Sequence, residues 1–408
     1  MAGKGNTDTE RRMSTGLQST RNNWVKWCRR HLGDSVKNLR RQIRRGIRHP
    51  KLAWDYQAFR RAVERRDWED AHRRLGPLAE GSERARDTRL LGEMGLAAER
   101  LGEYEKSTQC HVACARIEGK GSPDEWDGCD ISDATLVIRF MESEKQGLAV
   151  GLNLAGFVAQ AAQKAAQCVL VVERRLVPVF QRTLPNVRTL AYPASYEAPP
   201  NERVVTANHL TLKSVLGSAP AAIEERFLPL QADAGRAAEL KSRYLNGRSK
   251  PLIGISWWSS HFGKDLPSID DWAEFVRSTD AIFINAQYGN VSEDLAALER
   301  AAPGRLINDT GIDQLSDMDG FAAQLAALDG MITISNTGAH LAGAMGLPLC
   351  LIRDDWFRRA WPVRSHRVPW YPSATVIGKE GRPWPEAMIR VGKWLGGIGS
   401  LSPTSQSA

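Results

Sequence analysis

The sequence has few aromatic residues, few cysteines and no long apolar runs. Aromatic side chains make up 7% of its 408 residues. No apolar stretch approaches the ~20 residues that a membrane-spanning helix needs, so we expect no transmembrane segment. The first 30 residues are basic and lack an apolar core, which argues against a secretory signal. Six cysteines are too few for a disulfide scaffold in a chain of this length, and we expect reduced thiols in a cytoplasmic protein.

The net charge of +8 is unevenly distributed. Residues 1–50 contain 13 Lys and Arg against three acidic residues, so the rest of the chain is close to neutral. A basic tail on a neutral body does not indicate a nucleic-acid-binding surface, and we expect no nucleic-acid partner. The composition, 42% hydrophobic and 25% charged, is that of two or three domains with apolar cores.

The basic tail divides into two parts. Residues 1–20 are polar and are expected to be disordered, as is the tail 396–408. Residues 22–48 carry apolar side chains at spacings of three and four between arginines, which predicts an amphipathic helix. Two roles stay open for this helix. It either lies on an anionic membrane surface, at the inner face of the membrane, or caps the domain that follows.

The sequence of residues 51–120 predicts helices and contains an internal repeat. Trp68 and Tyr104 each open a helix after an acidic residue, 36 positions apart, and each follows an earlier helix. This pattern resembles tetratricopeptide repeats, in which helix pairs stack to bury their apolar faces, and it suggests a protein-docking or capping element. Cys110 and Cys114 lie one helical turn apart and are expected to pack in a helix rather than bind a metal.

The remaining chain alternates strands and helices, which predicts two Rossmann-like α/β halves over 121–230 and 231–395. Ligands bind at the carboxyl ends of the strands in such sheets. In the first half we predict a helix over 147–166 and a loop over 193–204. In the second half the loops after Ser256, Asn285, Asn308 and Ser335 are expected to face a cleft.

The most informative segment is the strand–turn–helix between Ile334 and Pro348. Small polar residues at 335–337 end a buried strand, and a helix begins near Gly338 with His340 in its first turn. The free N–H groups and positive end of a helix bind anions, so the segment predicts a phosphate site. Helix capping alone is the alternative for one of the polar residues. Asp313, Asp317 and Asp319 fit turn and cap roles better than a cation site.

These motifs resemble the heptosyltransferase-like glycosyltransferases of family 9, in the branch with tetratricopeptide repeats in front. The matching pieces are Gly254–Trp257, Asn285–Gly289, Gly311–Asp319, Ala322–Asp329, Ser335–Pro348, Pro369–Pro372 and the weaker Glu173–Pro185. The resemblance implies a GT-B fold. It also implies transfer of a sugar from a nucleotide-diphosphate donor, bound by the second half, to a glycan, lipid-linked or protein acceptor bound by the first. Neither a metal nor another cofactor is implied.

The resemblance and the residue types together indicate which residues form the candidate site. The candidates for binding the nucleotide sugar are Trp258, Lys264, Gln287, Tyr288, Gly289, Asp309, Ser335, Asn336, Thr337 and Gly338. The candidates for catalysis are Glu142, Glu144 and His340. An inverting transfer needs a base near the acceptor hydroxyl, and the two glutamates are either that base or a capping cluster. Lys264 is either a phosphate ligand or a surface lysine. The other tryptophans (Trp257, Trp356, Trp361 and Trp370) are expected in the core and cleft wall.

Two functions from different classes remain open. The first is a metal-independent glycosyltransferase. The second is a scaffold in which the helical repeats and the basic helix recruit a protein partner or the membrane while the GT-B part is degenerate.

Overall fold

A computed structural model describes residues 50–120, 124–141, 148–259, 265–354 and 361–398. The predictions for the basic helix and both tails therefore lie outside the described residues, except at 396–398. So do Glu142, Glu144, Lys264 and Trp356. The chain separates into two compact units, one ending at Asp87 and the other beginning at Thr88.

The first unit contains a helix pair. Asp67 caps its second helix by accepting a hydrogen bond from the Asp70 N–H at 3.0 Å, as an acidic residue at a helix start should. The helices are α1 (Pro50–Glu64) and α2 (Trp68–Arg84).

The second unit begins with another helix pair, α3 (Thr88–Leu101) and α4 (Tyr104–Ile117). All four helices of 51–120 were predicted. The structure divides the two pairs between the units at 87/88, whereas the sequence placed them in one domain ending at 120.

The first α/β half is a four-stranded parallel sheet in the order β3-β2-β1-β4. Its two central strands contain buried apolar runs at Leu136–Ile138 and Cys168–Val172, as a sheet covered on both faces requires. The strands are β1 (Ile131–Arg139), β2 (Ala165–Val172), β3 (Arg188–Ala191) and β4 (Val204–Asn208). The helices are α5 (Ala155–Ala162), α6 (Val177–Thr183), α7 (His209–Leu216) and α8 (Pro220–Glu225), with short 3₁₀ turns at Leu152–Leu154 and Arg174–Leu176.

The second half is a seven-stranded sheet in the order β10-β11-β9-β8-β5-β6-β7, parallel except for β10. The strands are β5 (Leu252–Ser256), β6 (Ile282–Asn285), β7 (Leu306–Ile307), β8 (Gly330–Ile334), β9 (Leu349–Arg353), β10 (Arg367–Val368) and β11 (Tyr371–Gly378). The helices are α9 (Ala234–Leu245), α10 (Ile269–Ser278), α11 (Ser292–Ala301), α12 (Met318–Ala326), α13 (Thr337–Ala344) and α14 (Trp384–Ile398).

The predicted α/β class with two parallel sheets is confirmed, and two details are wrong. The helix predicted over 147–166 is confined to Ala155–Ala162, and Ala165 already belongs to β2. Alanine favours helices, but here the pairing of Ala165 and Gln167 with β1 overrides that preference. In addition, α14 runs to Ile398, into the tail that was expected to be disordered from 396.

Contacts between the two halves hold them as one unit. Arg182 on α6 forms an ion pair with Asp319 on α12 at 3.0 Å, and the Arg175 guanidinium contacts the Leu315 carbonyl at 2.5 Å. A continuous apolar core runs from Tyr104 on α4 through β1 and β2 to α12 and α13.

Cys110 and Cys114 pack within the second helix pair, as predicted. Cys110 is buried, and the Cys114 thiol donates to the Thr88 carbonyl at 3.2 Å. Within the described part of the chain no helix is both long and apolar enough to cross a bilayer.

Candidate functional site

The carboxyl ends of β5, β6 and β8 meet at one edge of the seven-stranded sheet. A chain of hydrogen bonds joins them. The Asn336 amide donates to the Ser256 hydroxyl at 2.8 Å, and that hydroxyl donates to Gln287 Oε1 at 2.8 Å. The Asn285 amide extends the chain to the next loop by donating to Asn308 Oδ1 at 2.8 Å. The structure thus brings together the four loops that were expected to share this edge.

Gln287 is buried beneath these loops, and its side chain forms hydrogen bonds with their residues. Its side chain is 1% exposed, and Oε1 also accepts the backbone N–H groups of Trp257 and Trp258 at 2.9 and 2.8 Å. Its amide nitrogen donates to the Tyr288 carbonyl at 3.0 Å. The geometry therefore gives Gln287 a positioning role, whereas the sequence suggested contact with the nucleotide.

An aromatic pair lies beside Gln287. The rings of Trp258 and Tyr288 are 5.8 Å apart and tilted by 55°, and Trp258 is 45% exposed. An indole exposed to this extent at the ligand-binding edge of a parallel sheet offers a face for a planar base or a sugar ring. Gly289 follows with φ of +89°, which lets the chain turn away after Tyr288.

The turn between β8 and α13 has the geometry of an anion site, although two of its polar side chains form hydrogen bonds within the protein. Asn336 is the N-cap and accepts the Ala339 N–H at 3.0 Å. The Ser335 hydroxyl accepts the indole N–H of Trp361 at 2.9 Å. The N–H groups of Thr337 and Gly338 open the helix and have no acceptor within it, since the first N–H groups of an α-helix never do. These N–H groups and the half-buried Thr337 side chain form the donor set.

His340 lies in the first turn of α13 and is held by two aromatic side chains. Its Nδ1 is 2.9 Å from the Tyr371 hydroxyl, and its ring stacks on Trp361 with centroids 4.9 Å apart. Gly343 permits this arrangement, because a Cβ at that position would lie 2.6 Å from the Tyr371 ring. The small residue at 343 therefore brings α13 close to β11.

Asp309 points away from this group. Its carboxylate accepts the Tyr244 hydroxyl at 2.6 Å and contacts Arg243, both on α9. Burial raises the pKa of this carboxyl, but the hydrogen bonds from Tyr244 and the Gly311 N–H, together with the charge of Arg243, outweigh it and lower the pKa. Asp309 thus anchors α9 to the loop after β7.

Asp313 and Asp317 have the turn and cap roles that were predicted, whereas Asp319 lies within α12 and forms the ion pair with Arg182. Asp313 accepts the N–H groups of Leu315 and Ser316, and Asp317 caps α12 through the Gly320 N–H at 2.8 Å. Among the described residues, no three His, Cys, Asp or Glu side chains converge as metal ligands would.

Three residues of the site were missed as site residues: Ser256, Trp361 and Tyr371. Sequence signals existed for two of them. Trp361 was among the tryptophans expected in the core and cleft wall, and Tyr371 lies in the Pro369–Pro372 motif. Ser256 gave no signal beyond its place at the end of a strand.

The chain was compared with known proteins. No family model matches it. It is 27% identical to the protein FlbA of Caulobacter vibrioides in an alignment of 289 positions that covers 65% of this chain and 47% of FlbA. The chain therefore spans about half the length of this curated relative.

Solved structures similar to the chain belong to the family that the motifs resemble. The family 9 glycosyl transferase from Veillonella parvula aligns with a TM-score of 0.43 and 10% identity, covering 69% of this chain and 93% of that one. The ADP-heptose heptosyltransferase II of E. coli aligns with a TM-score of 0.41 and 12% identity, covering 65% and 98%. Likenesses at this level define neither activity nor substrate, so function has to be argued from the site residues.

Proposed function

We propose that the chain is a metal-independent glycosyltransferase that moves a sugar from a nucleotide-diphosphate donor to a glycan, lipid-linked or protein acceptor. One observation supports it above all. The turn between Ser335 and His340 presents a helix N-terminus and a histidine at the edge where three parallel strand ends meet. A diphosphate suits such a site, because N–H groups and the positive helix end neutralise its charge without a cation.

The neighbouring aromatic pair extends the proposal to the rest of the donor. Trp258 and Tyr288 lie one and two strands away from the turn in the sheet order, on the same edge. A diphosphate at the turn would leave its nucleoside or its sugar within reach of this pair. Either part of the donor can stack on an exposed indole.

The chemistry requires two further roles. The bond between the sugar and the diphosphate breaks, and the leaving diphosphate carries the negative charge that the helix end stabilises. A carboxylate removes the proton from the acceptor hydroxyl as the new bond forms. We assign this role to Glu142 or Glu144, in the segment that follows β1, and a phosphate-binding role to Lys264.

Release of nucleoside diphosphate from a panel of ADP-, UDP- and GDP-sugars in EDTA tests the proposal. We expect turnover of at least one donor, and a loss of about 10²-fold in His340→Ala, which removes one donor to the developing charge. His72→Ala is the matched control, because His72 is exposed on α2. If the protein neither turns over nor binds any of these nucleotides, the proposal is contradicted and the scaffold hypothesis is favoured.

A further inference from the structure

The contacts of Tyr371 bear on what His340 can do. A neutral imidazole carries its proton on one nitrogen and accepts with the other, so its partners decide whether it donates or accepts at the ligand. Nδ1 of His340 is already committed to the Tyr371 hydroxyl at 2.9 Å. The remaining nitrogen, Nε2, lies on the other edge of the ring.

The phenol of Tyr371 keeps its proton. The side chain is 3% exposed, and burial, together with the charge of Glu99, raises its pKa far above the ordinary value for tyrosine. A buried hydroxyl without an acceptor is costly. Within the described residues the structure gives Tyr371 one hydrogen-bond partner, Nδ1 of His340.

The ring of Tyr371 has little freedom to turn elsewhere. Gly343 lies against one part of it, where even a methyl group would not fit, and the Trp361 ring lies 5.7 Å away between Tyr371 and the β8 turn. Trp361 is in turn fixed by its hydrogen bond to Ser335. The phenol O–H is therefore aimed at the imidazole by packing on several sides.

We propose that Tyr371 is a positioning residue that donates to Nδ1 of His340 and fixes the imidazole in the tautomer with the proton on Nε2. In this state Nε2 carries the proton, so His340 is not the base that takes the acceptor proton. This statement about the reaction rests on the proposed function. The tautomer itself does not.

Long-range ¹H–¹⁵N correlation spectra of histidine-labelled protein, recorded where His340 is neutral, test this directly. His340→Gln identifies the signals. We expect wild type to show a protonated Nε2 and an unprotonated, hydrogen-bonded Nδ1. Tyr371→Phe keeps the ring but removes the donor, so the signals should shift to a mixture of both tautomers. Tyr244→Phe, which removes a phenol bonded to Asp309 instead, should leave them unchanged.

Gly343→Ala provides a second perturbation, because it displaces the Tyr371 ring without changing either hydrogen-bonding group. It should produce the same tautomer mixture, and it replaces Tyr371→Phe if that variant does not fold. A proton on Nδ1 in wild type would overturn the proposal, and so would an unchanged tautomer in both variants. A protein that shows the expected tautomers but binds no nucleotide would retain this inference and lose the proposed function.

Discussion

The two helix pairs look alike in sequence and differ in their surroundings. Each second helix begins with an aromatic residue after an acidic one. In the first pair this residue is Trp68, in a unit that ends at Asp87. In the second pair it is Tyr104, which is 4% exposed and meets Trp370 edge-on at 6.1 Å. Trp370 directly precedes Tyr371, the residue that contacts His340.

The difference shows that a helix pattern does not tell which folded body the helix joins. The second pair is tied to the candidate site by its backbone as well, since the Val363 N–H donates to the Arg100 carbonyl at 2.9 Å. It also buries a hydroxyl pair, with Ser218 donating to Thr108 at 2.8 Å. In the first pair, Asp70 forms its ion pairs with arginines of the same unit, such as Arg74 at 2.9 Å.

The largest difference between the pairs should appear when one tryptophan is truncated in each unit. Trp370→Ala removes a ring that is 5% exposed and packs on Tyr104 and Phe157, so it should destabilise the second unit by about 3–5 kcal/mol. Trp54→Ala, on a side chain that is 70% exposed, should change stability by no more than about 0.5 kcal/mol. Urea unfolding followed by circular dichroism measures both. Equal losses would mean that the second pair does not share the core of the sheets.

Acid should weaken the second unit through His209. Burial, together with the charges of Lys213 and His111, lowers the pKa of His209 to about 4. Between about pH 6.5 and pH 4 the unfolded chain binds this proton and the folded chain does not, so stability falls as the pH is lowered through this window. The full loss would be up to about 3 kcal/mol.

Unfolding free energies of wild type and His209→Gln at pH 7 and pH 4.5 measure this contribution. We expect the difference between the two pH values to shrink in the variant. An equal difference in both proteins would show that His209 is not the source.

The smallest effects come from two glycines of α3. A Cβ on Gly95 would lie 2.7 Å from the His111 ring, so Gly95→Ala should cost about 1–3 kcal/mol. Gly92 has no atom within 4 Å of such a Cβ, and Gly92→Ala should stabilise the helix by about 1 kcal/mol. Thermal melts compare the two variants, and a harmless Gly95→Ala would contradict the close packing of α3 on α4.

Much of the second sheet could be predicted because its strands are buried on both faces. The predicted loops after Ser256 and Asn285 begin where β5 and β6 end, and the loop predicted after Ser335 begins one residue late. In contrast, β4 and α7 follow a proline-rich loop and carry mixed polar and apolar residues, which give no clear period. The place of β4 is set by pairing with β1, which the local sequence does not record.

The sequence predicted the local structure of the candidate site better than its contacts. A small polar turn before a helix is a local signal, so the place of Asn336, Thr337 and His340 at the start of a helix could be predicted. The partners of Ser335 and His340 could not, because Trp361 and Tyr371 lie 26 and 31 residues away along the chain. Whether a polar side chain is open to a ligand or bonded inside the protein depends on such distant contacts.

The most direct test of the proposed function is an experimental structure with a nucleoside diphosphate bound in the presence of EDTA. We expect the phosphates at the N–H groups of Thr337 and Gly338, close to His340, and the base or ribose near Trp258. Phosphates bound elsewhere on the protein, or a complex that forms only after a divalent cation is added, would contradict it.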